Sequence, residues 1–189
     1  AISLSKSLNG EIVNADSMQV YKELRILTSR PSFSDEKKIK HHLYGITSVR
    51  NDFSTGKWLK LATKKIKKIL KKNKTPIIVG GTGLYYKALL DGLVKIPNIP
   101  IIVRNKIRQD HEKIGQVKFY NKLLKLDSKV KYFISPNDIQ RSLRAYEVKK
   151  YTNKSLYEWI KNTKPNFDQN LFKKFFLNPP RDYLINKIN

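Results

Sequence analysis

Residues 75–90 read TPIIVGGTGLYYKALL, and this stretch decides the fold. Pro76 precedes a short β-branched run, Ile77 to Val79, suited to a strand. Gly80-Gly81-Thr82-Gly83 then forms a glycine loop, and a helix is predicted from about Leu84. A strand that passes through glycines into a helix offers free backbone N–H groups and the positive end of a helix dipole to an anion. Glycine also leaves no Cβ in the way. A tight turn that needs positive φ accounts for the same glycines, so both readings stand at this point. The loop lacks the Gly-Lys-Ser/Thr ending of a Walker A motif. The Gly-Lys pair in STGKW, 54–58, has no upstream glycine at the right spacing and is set aside.

Working outward, a long helix is predicted from Gly56. Trp58, Ala62, Ile66 and Ile69 recur at three or four residues, joined by Leu59 and Leu70. Its other face carries Lys60, Lys64, Lys65, Lys67, Lys68, Lys71 and Lys72, which suits a core-facing helix with a solvated exterior; a membrane-surface helix is the competing reading. Glu11 to Ala15 reads as a strand, preceded by a helix in AISLSKSL that Asn9-Gly10 stops. Pro31 and Ser34-Asp35 mark a surface turn. Helix, strand, linking segment, helix, strand, loop, helix is the alternation of an α/β parallel sheet. From about Val103 to Leu177 the pattern turns helical. Within it, Ser135 is expected to cap a helix that begins at Pro136, with Asp138 completing the cap and Ile139, Leu143 and Tyr146 as its buried stripe. The pattern divides the chain into an α/β part over 1–102 and a helical part over 103–177, with a new helix starting within 178–189. Ala1 lies inside a helix, which predicts a strand and turn before it.

The 189 residues carry 39 Lys+Arg against 15 Asp+Glu, a net charge of +24. Such an excess attracts polyanions, nucleic acid first among them, although abundant Lys, Asn and Ile also point to compositional bias. Hydrophobic residues make up 40% and aromatics 11%, in keeping with a globular protein. No apolar run approaches the roughly 20 residues of a membrane span, and no signal peptide is legible, so a cytoplasmic protein is expected. Without cysteine there are no disulfides or thiolate metal sites.

Among the acids, Asp16 is the one placed where a predicted inner strand gives out, in EIVNADSMQVY, 11–21. It reads either as a cap, together with Ser17, or as a base at the mouth of a parallel sheet, where open α/β folds hold ligands. Asp52, Asp91 and Asp110 read as turn or helix-surface residues. Arg30, Arg104, Arg141 and Arg144 stand out against the lysines, because guanidinium forks match phosphates and base edges. His41-His42 has no acid cluster beside it and reads as structural.

Together, GEIVNADSMQVYKELRILTSRPS, HHLYGI, IIVGGTGLYYKALLDGL and SPNDIQRSLRAYEV resemble the tRNA dimethylallyltransferase family, in family order and spacing. The resemblance implies a P-loop NTPase-like parallel sheet, with 1–102 as its core, 103–177 as a helical insertion that clamps tRNA and 178–189 as a return to the core. It further implies transfer of a dimethylallyl group from dimethylallyl diphosphate to the adenosine beside the anticodon, helped by Mg²⁺, in a monomer. Carried over residue by residue, Asp16 falls on the general base and Ser17, Met18 and Gln19 on a tRNA-contacting segment. Thr82 and Arg104 fall on residues near the reacting groups. Gln140, Arg141, Ser142, Leu143 and Arg144 fall on the Gln-Arg-x-x-Arg segment that holds the RNA. The family's first strand and P-loop would precede Ala1, so the donor and Mg²⁺ cradle is expected outside this chain, which by itself should turn over little. Where the family commonly reads GTAKPS, this chain has LTSRPS, with Leu27 for glycine and Arg30 for lysine. Two alternatives remain: prenylation of free adenine nucleotides, and a non-catalytic basic RNA-binding module.

Overall fold

The computed structural model describes residues 1–188. Helix α1 (Ile2–Ser7) leads into strand β1 (Gly10–Asn14), followed by helix α2 (Phe33–Lys38) and the two-residue strand β2 (His41–His42). Helix α3 (Thr55–Leu70), strand β3 (Thr75–Val79) and helix α4 (Gly83–Asp91) complete the α/β part. The three strands form a parallel sheet in the order β2-β1-β3, with Ile12 opposite His41 and Ile77. All five residues of β1 are buried, as befits a central strand covered on both faces.

Helix α3 follows its periodicity except at the end: Trp58, Leu59, Ala62, Ile66 and Ile69 are buried and the lysines lie outside, whereas Leu70, expected in the stripe, is exposed in the last turn. Ser54 caps it, its hydroxyl accepting the Lys57 N–H. Trp58 stacks on Tyr85 of α4 with ring centroids 4.3 Å apart, and its indole N–H donates to the Asn14 carbonyl at 2.8 Å. Val13, Ala15, Leu43, Ala88 and Leu89 close this core.

A second core lies in the helical part, built by α5 (Ile101–Leu126) and α6 (Ile139–Thr152) around Ile107, Phe119, Tyr120, Leu123, Val130, Ala145 and Tyr146. Helix α5 is broken at Gly115, whose φ of 76° no helix accommodates. Short helices α7 (Leu156–Lys161) and α8 (Arg181–Ile188) follow. Between them Phe167 and Phe172 pack back onto the first core, and the Gln169 side chain donates to the Leu90 carbonyl. No helix among the described residues is long and apolar enough to cross a membrane.

Two local expectations are corrected. Helix α6 starts at Ile139 and its cap is Asp138, which accepts the Arg141 N–H at 2.9 Å; Ser135 and Pro136 lie outside the helix in the preceding turn. Its buried stripe is Ser142, Ala145, Tyr146, Glu147 and Val148, while Ile139 is 45% exposed.

Strand β2 was not legible in HHLYGI, and it explains the histidines. His42 Nε2 lies 2.6 Å from the Glu11 carboxylate, which is 2% exposed and is reached from the other side by Lys74 at 3.3 Å. Burial pushes the Glu11 carboxyl up, yet the hydrogen bonds and charge of His42 and Lys74 outweigh it and hold the group below its ordinary value. Burial pulls His42 below the usual imidazole value, against the attraction of Glu11. At neutral pH His42 is thus a neutral donor and Lys74 supplies the charge.

Both groups bind protons more readily in the unfolded chain, so acid destabilises the fold twice. Urea denaturation should show stability falling as pH drops below roughly 6.5, the unfolded histidine value, and again below roughly 4.3, the unfolded glutamate value. His42→Gln should flatten the upper part alone, and His42→Ala should cost about 1–3 kcal/mol at pH 7 by leaving Glu11 with one partner. A backbone test is available at the glycine loop. A Cβ on Gly80 would sit 2.2 Å from the Ala15 carbonyl carbon and 2.5 Å from the Asp16 nitrogen, whereas one on Gly81 meets nothing within 4 Å. Gly80→Ala should therefore lower stability by about 1–3 kcal/mol, and Gly81→Ala by much less, in the same denaturation assay.

Candidate active site

The chain leaves β1 through a polar lock. Asn14, fully buried, accepts the Asp16 N–H on Oδ1 at 2.9 Å and donates from Nδ2 to the carbonyls of Asp16 and Leu43 at 3.0 and 3.1 Å. This turns residue 16 out of the sheet at its C-terminal edge. Asp16 then accepts the N–H groups of Met18 and Gln19 on one oxygen, Oδ1, at 2.8 and 3.3 Å. Among the described residues its Oδ2 has no hydrogen-bond partner. The turn it closes is followed by no helix, so the carboxylate is half engaged and half available.

The glycine loop meets this turn directly. The Thr82 N–H donates to the Ala15 carbonyl at 3.2 Å, and the Thr82 hydroxyl accepts the Ser17 N–H at 2.9 Å while donating to the Ser17 hydroxyl at 3.2 Å. Asp16, Ser17 and Thr82 are thereby brought together from segments 65 residues apart. Met18 is 49% exposed beside them. Gln19 is tied down, its amide donating to the Thr28 carbonyl at 2.8 Å and its own carbonyl accepting the Gly45 N–H. Tyr44 and Tyr85 lie within electrostatic reach of Asp16; burial first, and the Asp16 charge in addition, push both phenols up to about 12, so they stay neutral. Arg30 is not a surface charge. Its guanidinium sits beneath Gly45, where a Cβ would approach within 2.2 Å, and faces Glu36 at 3.8 Å.

The arginines of the helical part form a second cluster. Arg104 of α5 and Arg144 of α6 line a cleft of about 430 Å³ with the segment Ile96 to Ile99. Gln140 and Arg141 are exposed on α6, with Arg141 paired to its cap Asp138 at 3.1 Å. Ser142 and Leu143 point the other way: Ser142 is fully buried and accepts a hydrogen bond from Gln116, and Leu143 packs on the second core. Among the described residues no hydrogen bond or ion pair joins the Asp16 cluster to the arginine cluster. Sequence reasoning missed Asn14 and Tyr44, and the signal for Asn14 was a polar side chain inside an otherwise apolar strand.

Among the described residues no three His, Asp or Glu side chains converge on a point where a metal could bind. Asp16 stands as a lone carboxylate, short of the oxygen shell that Mg²⁺ requires from a protein-built site. Among the described residues, the Mg²⁺ that the resemblance implies finds no such site.

Comparison with known proteins places this geometry. The model of a family described as IPP transferase matches residues 19–189. The tRNA dimethylallyltransferase of Pelagibacter ubique is 56% identical over 189 residues, which is 100% of this chain and 60% of that protein. The Rickettsia massiliae tRNA dimethylallyltransferase is 47% identical over 185 residues, 96% of this chain and 50% of that one. This chain thus spans 50% to 60% of the length of these two curated relatives. Among solved structures, a eukaryotic dimethylallyltransferase acting on tRNA superposes with a TM-score of 0.75 at 28% identity, covering 88% of this chain and 42% of that one. The tRNA isopentenylpyrophosphate transferase of Bacillus halodurans gives 0.50 at 32% identity, covering 81% and 51%. With a family model spanning all but its first eighteen residues, a parallel sheet with Asp16 two residues past the end of its central strand, and a glycine loop locked against that turn, the chain belongs to the IPP transferase family.

Proposed function

We propose that this chain provides the acceptor-activating part of a tRNA dimethylallyltransferase, which moves a dimethylallyl group from its diphosphate to the exocyclic amine of the adenosine 3′ to the anticodon. The observation that carries the reading is the Oδ2 of Asp16, without a hydrogen-bond partner among the described residues, in a turn that Ser17 ties to Thr82 at the sheet edge where α/β folds hold ligands. An adenine amine is a weak nucleophile because its lone pair is delocalised into the ring. As its nitrogen bonds to the allylic carbon, the carbon–oxygen bond to diphosphate breaks, and the amine proton passes to Asp16. Asp16 Oδ1 stays held by two backbone N–H groups, so the base keeps its aim while Oδ2 takes the proton. Fixed positive groups must meet the charge that develops on the departing diphosphate.

An adenosine in a hairpin loop has to be unstacked to reach such a base, and its neighbours held aside. We assign that task to 103–177, with Gln140, Arg141 and Arg144 exposed on α6 and Arg104 of α5 lining one cleft with Arg144. Ser17, Met18 and Thr82 would border the adenine. A mononucleotide acceptor would have no use for this surface, which disfavours the free-nucleotide alternative. The same reading takes the sheet as P-loop NTPase-like, in a monomer working in the cytoplasm where tRNA is used.

The test is a chimera in which residues 1–189 replace the matching 60% of the Pelagibacter ubique relative. Asp16→Ala in it should lower single-turnover prenylation of an anticodon stem-loop by roughly 10²–10⁴-fold and change hairpin affinity less than threefold. Turnover within threefold of the unsubstituted chimera removes Asp16 from the mechanism, and faster reaction with AMP than with the stem-loop removes tRNA as acceptor. In the chain itself, Arg141→Ala should weaken hairpin binding several-fold and reduce the slope of log affinity against log salt by roughly 0.7–0.9.

A further inference from the structure

One buried carboxylate stands outside this chemistry. Glu147 lies on α6 between Tyr146 and Val148 and is 2% exposed. Its Oε2 is 3.5 Å from Nη1 of Arg144, one turn earlier on the same helix, and 3.6 Å from Nε of Arg104 on α5. The two arginine side chains are 44% and 37% exposed, and both open onto the same cleft. A single oxygen, shielded from water, is therefore shared by two guanidinium groups that come from two helices and line that cleft.

Stability does not account for an acid in this place. Taking a carboxylate out of water costs more than two partly exposed ion pairs reliably return, and an apolar residue of similar volume would fill the space at no loss. The arrangement has another effect. Two guanidinium groups repel when they share a cleft, and each arginine has many rotamers; a carboxylate beneath both offsets the repulsion and orders them before a ligand arrives. Ordering in advance lowers the entropic cost of engaging a phosphate. Arg104 is also unsaturated, since its Nε is buried without a hydrogen-bond partner.

We propose that Glu147 is a positioning residue: it touches no substrate and holds Arg104 and Arg144 as a paired fork for one phosphate group, an RNA phosphate on the reading of the previous section, on which this part rests. Charge and positioning make opposite predictions. Glu147→Gln adds one positive unit to a chain already at +24, so attraction alone would tighten RNA binding, whereas loss of the anchor should weaken it.

The experiment measures binding of this chain to an anticodon stem-loop RNA by fluorescence anisotropy in 0.1 M NaCl, a value on the order of physiological ionic strength. Glu147→Gln should bind roughly three- to tenfold more weakly, and adding Arg104→Ala to it should change little beyond Arg104→Ala alone, because the two act as one unit. Binding equal to or tighter than wild type, with the fold retained by circular dichroism, overturns the proposal. If Glu147→Gln does not fold, Glu147→Asp serves: it keeps the charge but withdraws the oxygen by one methylene, and wild-type affinity there likewise overturns the proposal. A readout without RNA separates this inference from the reading beneath it. The Arg104 Nε–H and Arg144 Nη–H signals in ¹⁵N spectra, from the nitrogens that face Glu147, should exchange slowly in wild type and approach free-arginine exchange in the variant that folds. If the wild-type chain ignores the hairpin, the RNA reading falls and these signals still decide the role of Glu147: unchanged exchange rejects it.

Discussion

The structure depends on how closely the ends of β1 and β3 approach. The backbone at Gly80 lies where any Cβ would collide with Ala15 and Asp16, and the Ala15 carbonyl accepts the Thr82 N–H directly. Parallel pairing from Gly10 opposite Thr75 to Asn14 opposite Val79 brings the two strands out of the sheet in step, so the acid of one turn and the hydroxyl of the other arrive together. The Trp58 indole closes the arrangement from below by bonding the Asn14 carbonyl. The base proposed for Asp16 would need this kind of rigid support, since misplacement of a catalytic group by about 1 Å costs orders of magnitude in rate.

Charge is distributed with the same economy. The chain has few acids, and the two most buried glutamates each serve more than one cation: Glu11 takes His42 and Lys74, and Glu147 takes Arg104 and Arg144. The first arrangement ties the outer strand β2 and the segment before β3 to the central strand; the second joins α5 to α6. By contrast, the lysine face of α3 pairs with no acid among the described ion pairs and remains a solvated exterior. Its contribution is to the long-range field that draws polyanions toward the protein, which falls off over about 10 Å at 0.1 M salt.

Much of this was legible from residue order. Helix α3, strands β1 and β3, and the glycine loop follow from short-range rules: apolar spacing, β-branching and the absence of a Cβ. The position of Asp16 at the end of a strand was legible for the same reason. Strand β2 was not, because two histidines carry no strand propensity and pair only once β1 presents an edge with Glu11 beneath it. The cap of α6 was misplaced by three residues, from Ser135 to Asp138, since Ser135, Asp138 and Pro136 all carry helix-start propensity and only packing against α5 selects between them.

By itself, then, the amino-acid order determined the α/β alternation, the basic character, the glycine loop and the lone acid beyond β1, because each rests on interactions within a few residues. Tertiary structure decided the rest. It chose which of the polar groups around Asp16 would bind which oxygen, turned Ser142 and Leu143 inward while leaving Gln140 and Arg144 outside, and set Arg104 beside Glu147 across 43 residues of chain. These outcomes depend on distances between segments far apart in sequence, and such distances exist only after the sheet and the two cores have formed.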